Sequence, residues 1–336
     1  MSMRLLIVGD PQPTHVGHHL HMAAGSLGVE SSIFDTQMAF GGATLKQRLL
    51  WWTRRRPARM EAFCAAVLDG VRRERPDCLL ATGFAPLDRA TLAAVGALGV
   101  RRINYLTDDP WNPAHRASWF LSALPYYDHV WSPRHANMHD LRLAGVRRVG
   151  YQPFAYNPDV HFPQAVVDDT VRHTLQADVL IAGNADRDRV ALVTPLIYAG
   201  LRVALYGDYW NRYRATASSA RGRLGADELR QATGEARVCL GLVRRANRDG
   251  HSMRTFEVPA MGGCLLAEKT SDHERLFGRS GEAVLYFNGV DDVVSQVRWL
   301  IDHRAERDRL VAAAHARIVD GPHAYRDRLA AMLEAL

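Results

Sequence analysis

Lysine is nearly missing from this chain: of its 42 cationic residues only Lys46 and Lys269 are lysines, and the rest are arginines. Against 36 acidic residues the net charge is +6. An excess this small does not argue for nucleic acid, though it suits an anionic small ligand or an acidic lipid surface. Cysteine is also scarce. Cys64, Cys78, Cys239 and Cys264 lie far apart and form no C-x-x-C pair, which excludes a disulfide framework and gives no zinc signature; they read as small buried hydrophobes. No uninterrupted apolar run approaches the ~18 residues of a membrane span. The first residues run straight into a strand-like segment without a signal peptide's charged and apolar regions, so a cytoplasmic location is expected. With 47% hydrophobic residues, a disordered or collagen-like chain is ruled out. At roughly 150 residues per domain the chain has room for two cores.

Short apolar runs alternate with helix-length amphipathic stretches. In the first half the runs are 4–9, 30–34, 77–82, 102–106, 129–132 and, more weakly, 147–151. Helical patterns occupy 18–27, 58–75, 87–98 and 135–144, each closed by Gly or followed by Pro. This βαβ rhythm predicts a parallel sheet covered on both faces. The stretch 152–174 carries Pro153, Pro158 and Pro163 without any period and reads as a connection. A second series follows, with strand candidates at 178–183, 202–207, 237–242, 263–267 and 283–287, then helix from 291 onward, broken near Asp302 and at Gly321-Pro322. The expected organisation is an N-terminal Rossmann-like domain (1–160), a second one (175–320), and a terminal helix (321–336) crossing back to the first. Ligands of such sheets bind beyond the C-terminal strand ends, here in a cleft between the halves.

The segment 249–263 carries the most chemical information. Ser252 is placed to start a helix whose free N–H groups, with Gly250 allowing close backbone approach, would seat a diphosphate. Glu257 stands more than a turn inside, among Phe256, Val258 and Met261, too polar for that setting unless it holds something. Such a carboxylate can accept both hydroxyls of a ribose; equally, it can pair with Arg254 three residues back. Pro259 predicts a kink or a short helix.

With its flanks the segment becomes a resemblance. Arg254-Thr255-Phe256-Glu257-Val258-Pro259-Ala260-Met261-Gly262-Gly263, then Asp272-His273-Glu274-Arg275-Leu276-Phe277, Ala283-Val284-Leu285-Tyr286-Phe287 and His323-Ala324-Tyr325-Arg326-Asp327-Arg328, is similar to the C-terminal half of the CgeB-like, group 1 type glycosyltransferases. Val179 to Gly183 and Leu205-Tyr206-Gly207-Asp208-Tyr209-Trp210 fit the same half, and Thr107-Asp108-Asp109-Pro110 with Tyr127-Asp128-His129 resemble the other. The resemblance implies an α/β protein of GT-B fold, two Rossmann-like domains facing each other across a cleft. It implies a nucleotide-diphosphate sugar as donor in the C-terminal half, an unidentified acceptor in the N-terminal half, and transfer with retention and without a metal or other cofactor. The residues it sets against the donor are Gly183, Asn184, Tyr206, Gly207, Asp249, Gly250, His251, Ser252, Met253, Arg254 and Glu257. Glu257 would take the ribose, and Arg254 with the amides near Ser252 the diphosphate. Asp249 stands eight residues before Glu257, where many retaining relatives carry a Glu, one methylene longer.

Asp108 and Asp109 follow a strand of the first sheet, and one of them could act as base on the acceptor or hold it; Asp before Pro is equally a turn residue. A competing motif opens the chain. His15-Val16-Gly17-His18 matches the H-x-G-H signature of nucleotidyltransferases, whose histidines contact nucleotide phosphates, but no partner motif follows; with a glycosyltransferase, His15 would face the acceptor. A catalytically silent sugar-nucleotide-binding protein is the third reading. Finally, 45–57 mixes Leu, Trp51, Trp52 and five cations, a composition suited to peripheral contact with an anionic membrane or to a helix packed on the first domain.

Overall fold

A computed structural model describes residues 3–41 and 55–336. Most of the 45–57 stretch lies outside the described residues, and the membrane contact expected of it with them. Among the described residues no helix is long and apolar enough to cross a membrane.

The chain forms two compact units, each built on a six-stranded parallel sheet. The first comprises Met1–Pro153, Ala246–Arg248 and Tyr325–Leu336, the second Phe154–Arg245 and Asp249–Ala324. The chain therefore enters the second unit at Phe154, early in the proline-bearing stretch, and that stretch ends in a short helix, Asp169–Leu175, which its lack of period had hidden.

In the first unit the strands are β1 (Arg4–Gly9), β2 (Glu30–Asp35), β3 (Cys78–Thr82), β4 (Arg101–Tyr105), β5 (His129–Ser132) and β6 (Val149–Tyr151), in the order β2-β1-β3-β4-β5-β6. The register pairs Ile7 with Ile33 on one side and Leu80 on the other. Leu5, Leu6, Ile7 and Val8 are all buried, as a continuous apolar run must be when helices cover both faces. Helices Met60–Glu74 and Arg89–Ala97 contribute Phe63, Val67, Leu92 and Val95 to one face. On the other, Val16–Ser26 packs against the terminal helix Tyr325–Glu334.

In the second unit the strands are β7 (Ala177–Ala182), β8 (Val203–Tyr206), β9 (Ala220–Gly222), β10 (Ala236–Gly241), β11 (Leu265–Glu268) and β12 (Leu285–Phe287), in the order β12-β11-β10-β7-β8-β9. Read from the other edge this is the doubly wound 3-2-1-4-5-6 order, whose direction reverses between β7 and β10. Alternation along the strands sends Val179, Ile181, Val203, Leu205, Val238 and Leu240 into a core with helices Arg187–Tyr198 and Val290–Asp302. The short helix Arg254–Ala260 packs on β10 and β11. The sequence pattern missed β9, a three-residue strand too short to show a period.

Candidate functional site

The reversal point fixes where to look: the crevice lies outside the carboxyl ends of β7 and β10. At the end of β7, Gly183 takes φ 158, and Gly207, at the end of β8, takes φ 123. A Cβ on Gly207 would stand 2.5 Å from the Gly183 carbonyl oxygen, so the close crossing of these two loops requires glycine. The crossing is sewn together by its own groups. Gly183 N–H donates to Tyr206 O (2.8 Å), Asp208 N–H to Asn184 Oδ1 (2.8 Å), and Trp210 Nε1–H to Gly183 O (2.8 Å). Gly183, Asn184 and Gly207 are thus brought together as the sequence expects. Asn184 spends its side-chain oxygen on the loop. Tyr206 turns away from this group: its ring forms the wall of a surface cleft with Leu175, Arg221 and Leu224, and neither Arg254 nor Glu257 lines that cleft.

Arg254 and Glu257 converge on the same strand end. Arg254 Nε–H donates to the Ala182 carbonyl at 3.1 Å, while its Nη1 pairs with Glu257 Oε2. Pairing three residues back is therefore realised, but it occupies one oxygen only. Glu257 is 1% exposed, and its Oε1 is buried with no hydrogen-bond partner. The polar group facing Oε1 within this unit is His161, whose Nε2 lies 3.6 Å away. His161 Nδ1 accepts from Asn157 N–H at 3.0 Å, which puts the ring proton on Nε2. Burial, then the charges of Arg254 and Arg230, push His161 down to about 3, so at neutral pH it faces Glu257 as an uncharged donor. Arg230 holds this segment in place, donating to Val160 O (2.8 Å) and Gln164 Oε1 (2.6 Å).

The helix begins at Arg254, not at Ser252, and runs seven residues with no side-chain cap, as Pro259 dictates. Ser252 serves the turn before it, its N–H donating to Thr255 Oγ1 at 3.3 Å. Thr255 Oγ1 lies 2.9 Å from His273 Nε2. Because His273 Nδ1 is 2.6 Å from the Glu268 carbonyl, which only accepts, Nδ1 carries the proton and the threonine hydroxyl donates to Nε2. His251 is occupied in the same manner. Its Nε2 accepts from Phe154 N–H (3.0 Å) and its Nδ1 faces Asp272 Oδ2 (3.3 Å), so the ring positions the loop and leaves no nitrogen for a nucleotide. Gly250 takes φ 94 at the turn, with half-buried Asp249 before it and Met253 at the helix start. Glu268, at the end of β11, accepts from Val243 N–H at 3.1 Å, and burial pushes its carboxyl above the usual range against that bond. Sequence reasoning missed His161, Thr255, His273 and Glu268. His273 stood inside a segment that carries the family resemblance, whereas His161 sat in the stretch read as a bare connection.

In the first unit the strand order reverses between β1 and β3, and the loop after β1 carries Asp10 and His15. His15 Nδ1 is 3.6 Å from Asp10 Oδ2, and the His15 side chain is half exposed. Gly17 has a packing duty: a Cβ there would meet the Asp10 carbonyl at 2.7 Å and Gly9 Cα at 3.0 Å. The glycine of His15-Val16-Gly17-His18 is thereby accounted for by the close contact of helix and strand, with no phosphate needed.

Asp108 and Asp109 are bound into a polar cluster with residues from much later in the chain. Asp109, 1% exposed, accepts Trp111 N–H at 2.9 Å on Oδ1 and Arg248 Nε–H on Oδ2. Its own N–H donates to Asn247 Oδ1 (3.2 Å), and Asn247 Nδ2 donates to Asp108 Oδ1 (3.2 Å). Arg248 reaches further, to Asp140 Oδ2 (2.8 Å) and Asn137 Oδ1 (3.1 Å). Burial opposes the charge of Arg248, but the bonds to Asp109 and Asp140 win and hold its pKa above the ordinary value. Each oxygen of Asp109 thus accepts one hydrogen bond within the first unit, a structural duty for a carboxylate that the sequence offers, with Asp108, as base or acceptor anchor.

Residues 187–334, under half of the chain, match a family model described as Glycosyl transferase-like. A comparison with curated protein sequences gives no match. Among solved structures the chain is similar to Anabaena Alr3699/HepE in complex with UDP-glucose (12% identity, TM-score 0.65, covering 99% of this chain and 100% of the other). It is similar also to the E. coli trehalose-6-phosphate structure bound with UDP-2-fluoro glucose (11%, 0.66, 99% and 98%). A third is UDP-GlcNAc 2-epimerase from Neisseria meningitidis bound to UDP-GlcNAc (10%, 0.57, 99% and 99%). These likenesses, with the two doubly wound sheets, establish the fold as GT-B.

Proposed function

We propose that this chain is a glycosyltransferase that takes a nucleotide-diphosphate sugar in its second unit and passes the sugar to an acceptor recognised by the first. The observation that carries this reading is Glu257 Oε1, a carboxylate oxygen buried without a hydrogen-bond partner at the crevice of the second sheet. Leaving such an oxygen unmade costs about 1 to 3 kcal/mol, a cost a ligand hydroxyl would recover. A ribose offers two adjacent hydroxyls, which suit the two lone pairs of Oε1. Arg254, tied to the end of β7, lies beside it to meet diphosphate charge, with the glycine of the Asp249-Gly250 turn allowing close backbone approach. The UDP-sugars held by structurally similar proteins make UDP-sugars the first donors to try, and the match of 187–334 to a glycosyl transferase-like family favours transfer over epimerisation on a shared fold.

The test is incubation of the chain with UDP-glucose and UDP-N-acetylglucosamine, following UDP release and the nucleotide sugar itself by NMR. Release of UDP, by transfer or slow hydrolysis, supports the proposal. An isomerised UDP-sugar without UDP points to an epimerase, and binding without any conversion to a silent partner protein. With an acceptor in hand, the anomeric configuration of the product tests the retention implied by the family resemblance.

A further inference from the structure

Asn247 and Arg248 make their contacts with Asp108, Asp109, Asn137 and Asp140 of the first unit. These residues lie in the connection between β10 and the helix of Arg254 and Glu257, yet they are built into the first unit, while the residues on either side belong to the second. Asn247 is 3% exposed, and its amide both accepts from and donates to the Asp108–Asp109 backbone and side chains. Arg248 adopts φ 67, a left-handed conformation that a non-glycine residue holds only when its surroundings over-determine it. Here they do, through Asp109, Asp140 and Asn137. One residue later the chain begins the turn Asp249-Gly250 that leads to Arg254.

We propose that Asn247-Arg248 is a clip, and that Asp109, by holding Arg248, is a positioning residue for the donor loop. The clip fixes the backbone immediately before Asp249, so the loop 249–253 arrives at the donor crevice already ordered. Without it, donor binding has to order that loop, and binding weakens accordingly. This inference rests on the donor site proposed above, and its test keeps the two apart.

The variants are Asp109→Asn, Arg248→Met and the double variant, with Asp140→Asn as a milder cut that removes one of several partners of Arg248. Two quantities are measured: hydrogen exchange at the amides of 249–253, which needs no ligand, and the dissociation constant for UDP-glucose. Exchange in 249–253 is expected to speed up about tenfold in Arg248→Met, with UDP-glucose binding weakened about tenfold. The double variant is expected to match Arg248→Met alone, because the two groups act through one contact; Asp140→Asn should fall between it and the parent. Near-UV circular dichroism on each variant separates a loosened loop from an unfolded unit. Unchanged exchange in Arg248→Met overturns the clip. Faster exchange with full UDP-glucose affinity overturns its role in donor binding, as does a double variant whose loss is the sum of the singles. If the parent and Glu257→Ala bind UDP-glucose equally, or neither binds, the donor-site proposal falls and exchange alone decides the clip.

Discussion

Two buried carboxylates, one in each unit, make an instructive pair. Asp109 and Glu257 are both 1% exposed, and each is paired with an arginine. Asp109 has both oxygens in use, by Trp111 N–H and Arg248. Glu257 has one oxygen on Arg254 and the other buried and unbonded. A carboxylate with a bond on each oxygen is accounted for by the fold. One left half-bonded carries a cost that the donor proposed above would relieve. Sequence position treats the two alike, since each is an acid in a chemically suggestive motif.

The comparison can be broken most directly by exchanging the readouts. Glu257→Ala is expected to lower UDP-glucose affinity by about 30-fold to 1000-fold, the equivalent of 2 to 4 kcal/mol, with little change in melting. Asp109→Asn should do the reverse in proportion: a loss of about 2 to 3 kcal/mol of stability, below the full cost of breaking a buried pair because Arg248 is half exposed, and only the smaller affinity loss that the clip predicts. Urea unfolding and calorimetric titration of both variants measure the crossover. If Asp109→Asn lowers affinity more than Glu257→Ala does, the roles assigned to the two acids are interchanged.

A smaller effect sharpens the contrast between units through pH. His129 in the first unit is pushed down to about 4 by burial and by Arg148, and His161 in the second to about 3 by burial, Arg254 and Arg230. Both are uncharged when folded at neutral pH, whereas the unfolded chain protonates them near their ordinary 6.5. Between those values the unfolded state binds more protons, so this stability is complete above pH 6.5 and drains away as pH falls, at up to about 1.4 kcal/mol per pH unit for each histidine. Urea unfolding at pH 7 and pH 5 should show His129→Gln and His161→Gln each flattening the dependence; a variant with the parental slope removes that histidine from the account. The smallest expected effect belongs to His15. His15→Ala should leave UDP-glucose affinity within about twofold, since it lies at the first sheet's crevice, and a large loss in calorimetry would return the nucleotidyltransferase reading.

Most of both sheets was legible because strands buried on two faces are written as unbroken apolar runs, such as Leu5-Leu6-Ile7-Val8 and Val179-Leu180-Ile181. The shortest strand, β9, carried no such run. At the site, Glu257 could be singled out because an acid inside an apolar helix contradicts its neighbours. Its neighbour His161 could not, because what brings it there is a turn closed by Asn157 N–H and anchored by Arg230 from 66 to 70 residues away. The bonds that tie Asp109 to Asn247 and Arg248 span 138 and 139 positions, and no local pattern announces them. His251 and Ser252 were read from type and position, but their hydrogen bonds go to Phe154, Asp272 and Thr255.

The terminal helix Tyr325–Glu334 bears on how the chain is made. It covers the helix Val16–Ser26, with His19 stacked on Tyr325 at 5.0 Å between ring centroids. The ribosome delivers the first of these partners long before the second. At 5 to 20 residues per second the interval is roughly 15 to 60 seconds, during which Val16–Ser26 has the rest of its sheet but not its cover. The second unit, whose segments all lie between Phe154 and Ala324, is fully emerged before the first can close. Within the first unit Val16–Ser26 is thus translated long before the helix that covers it, and its apolar face stays uncovered over that interval.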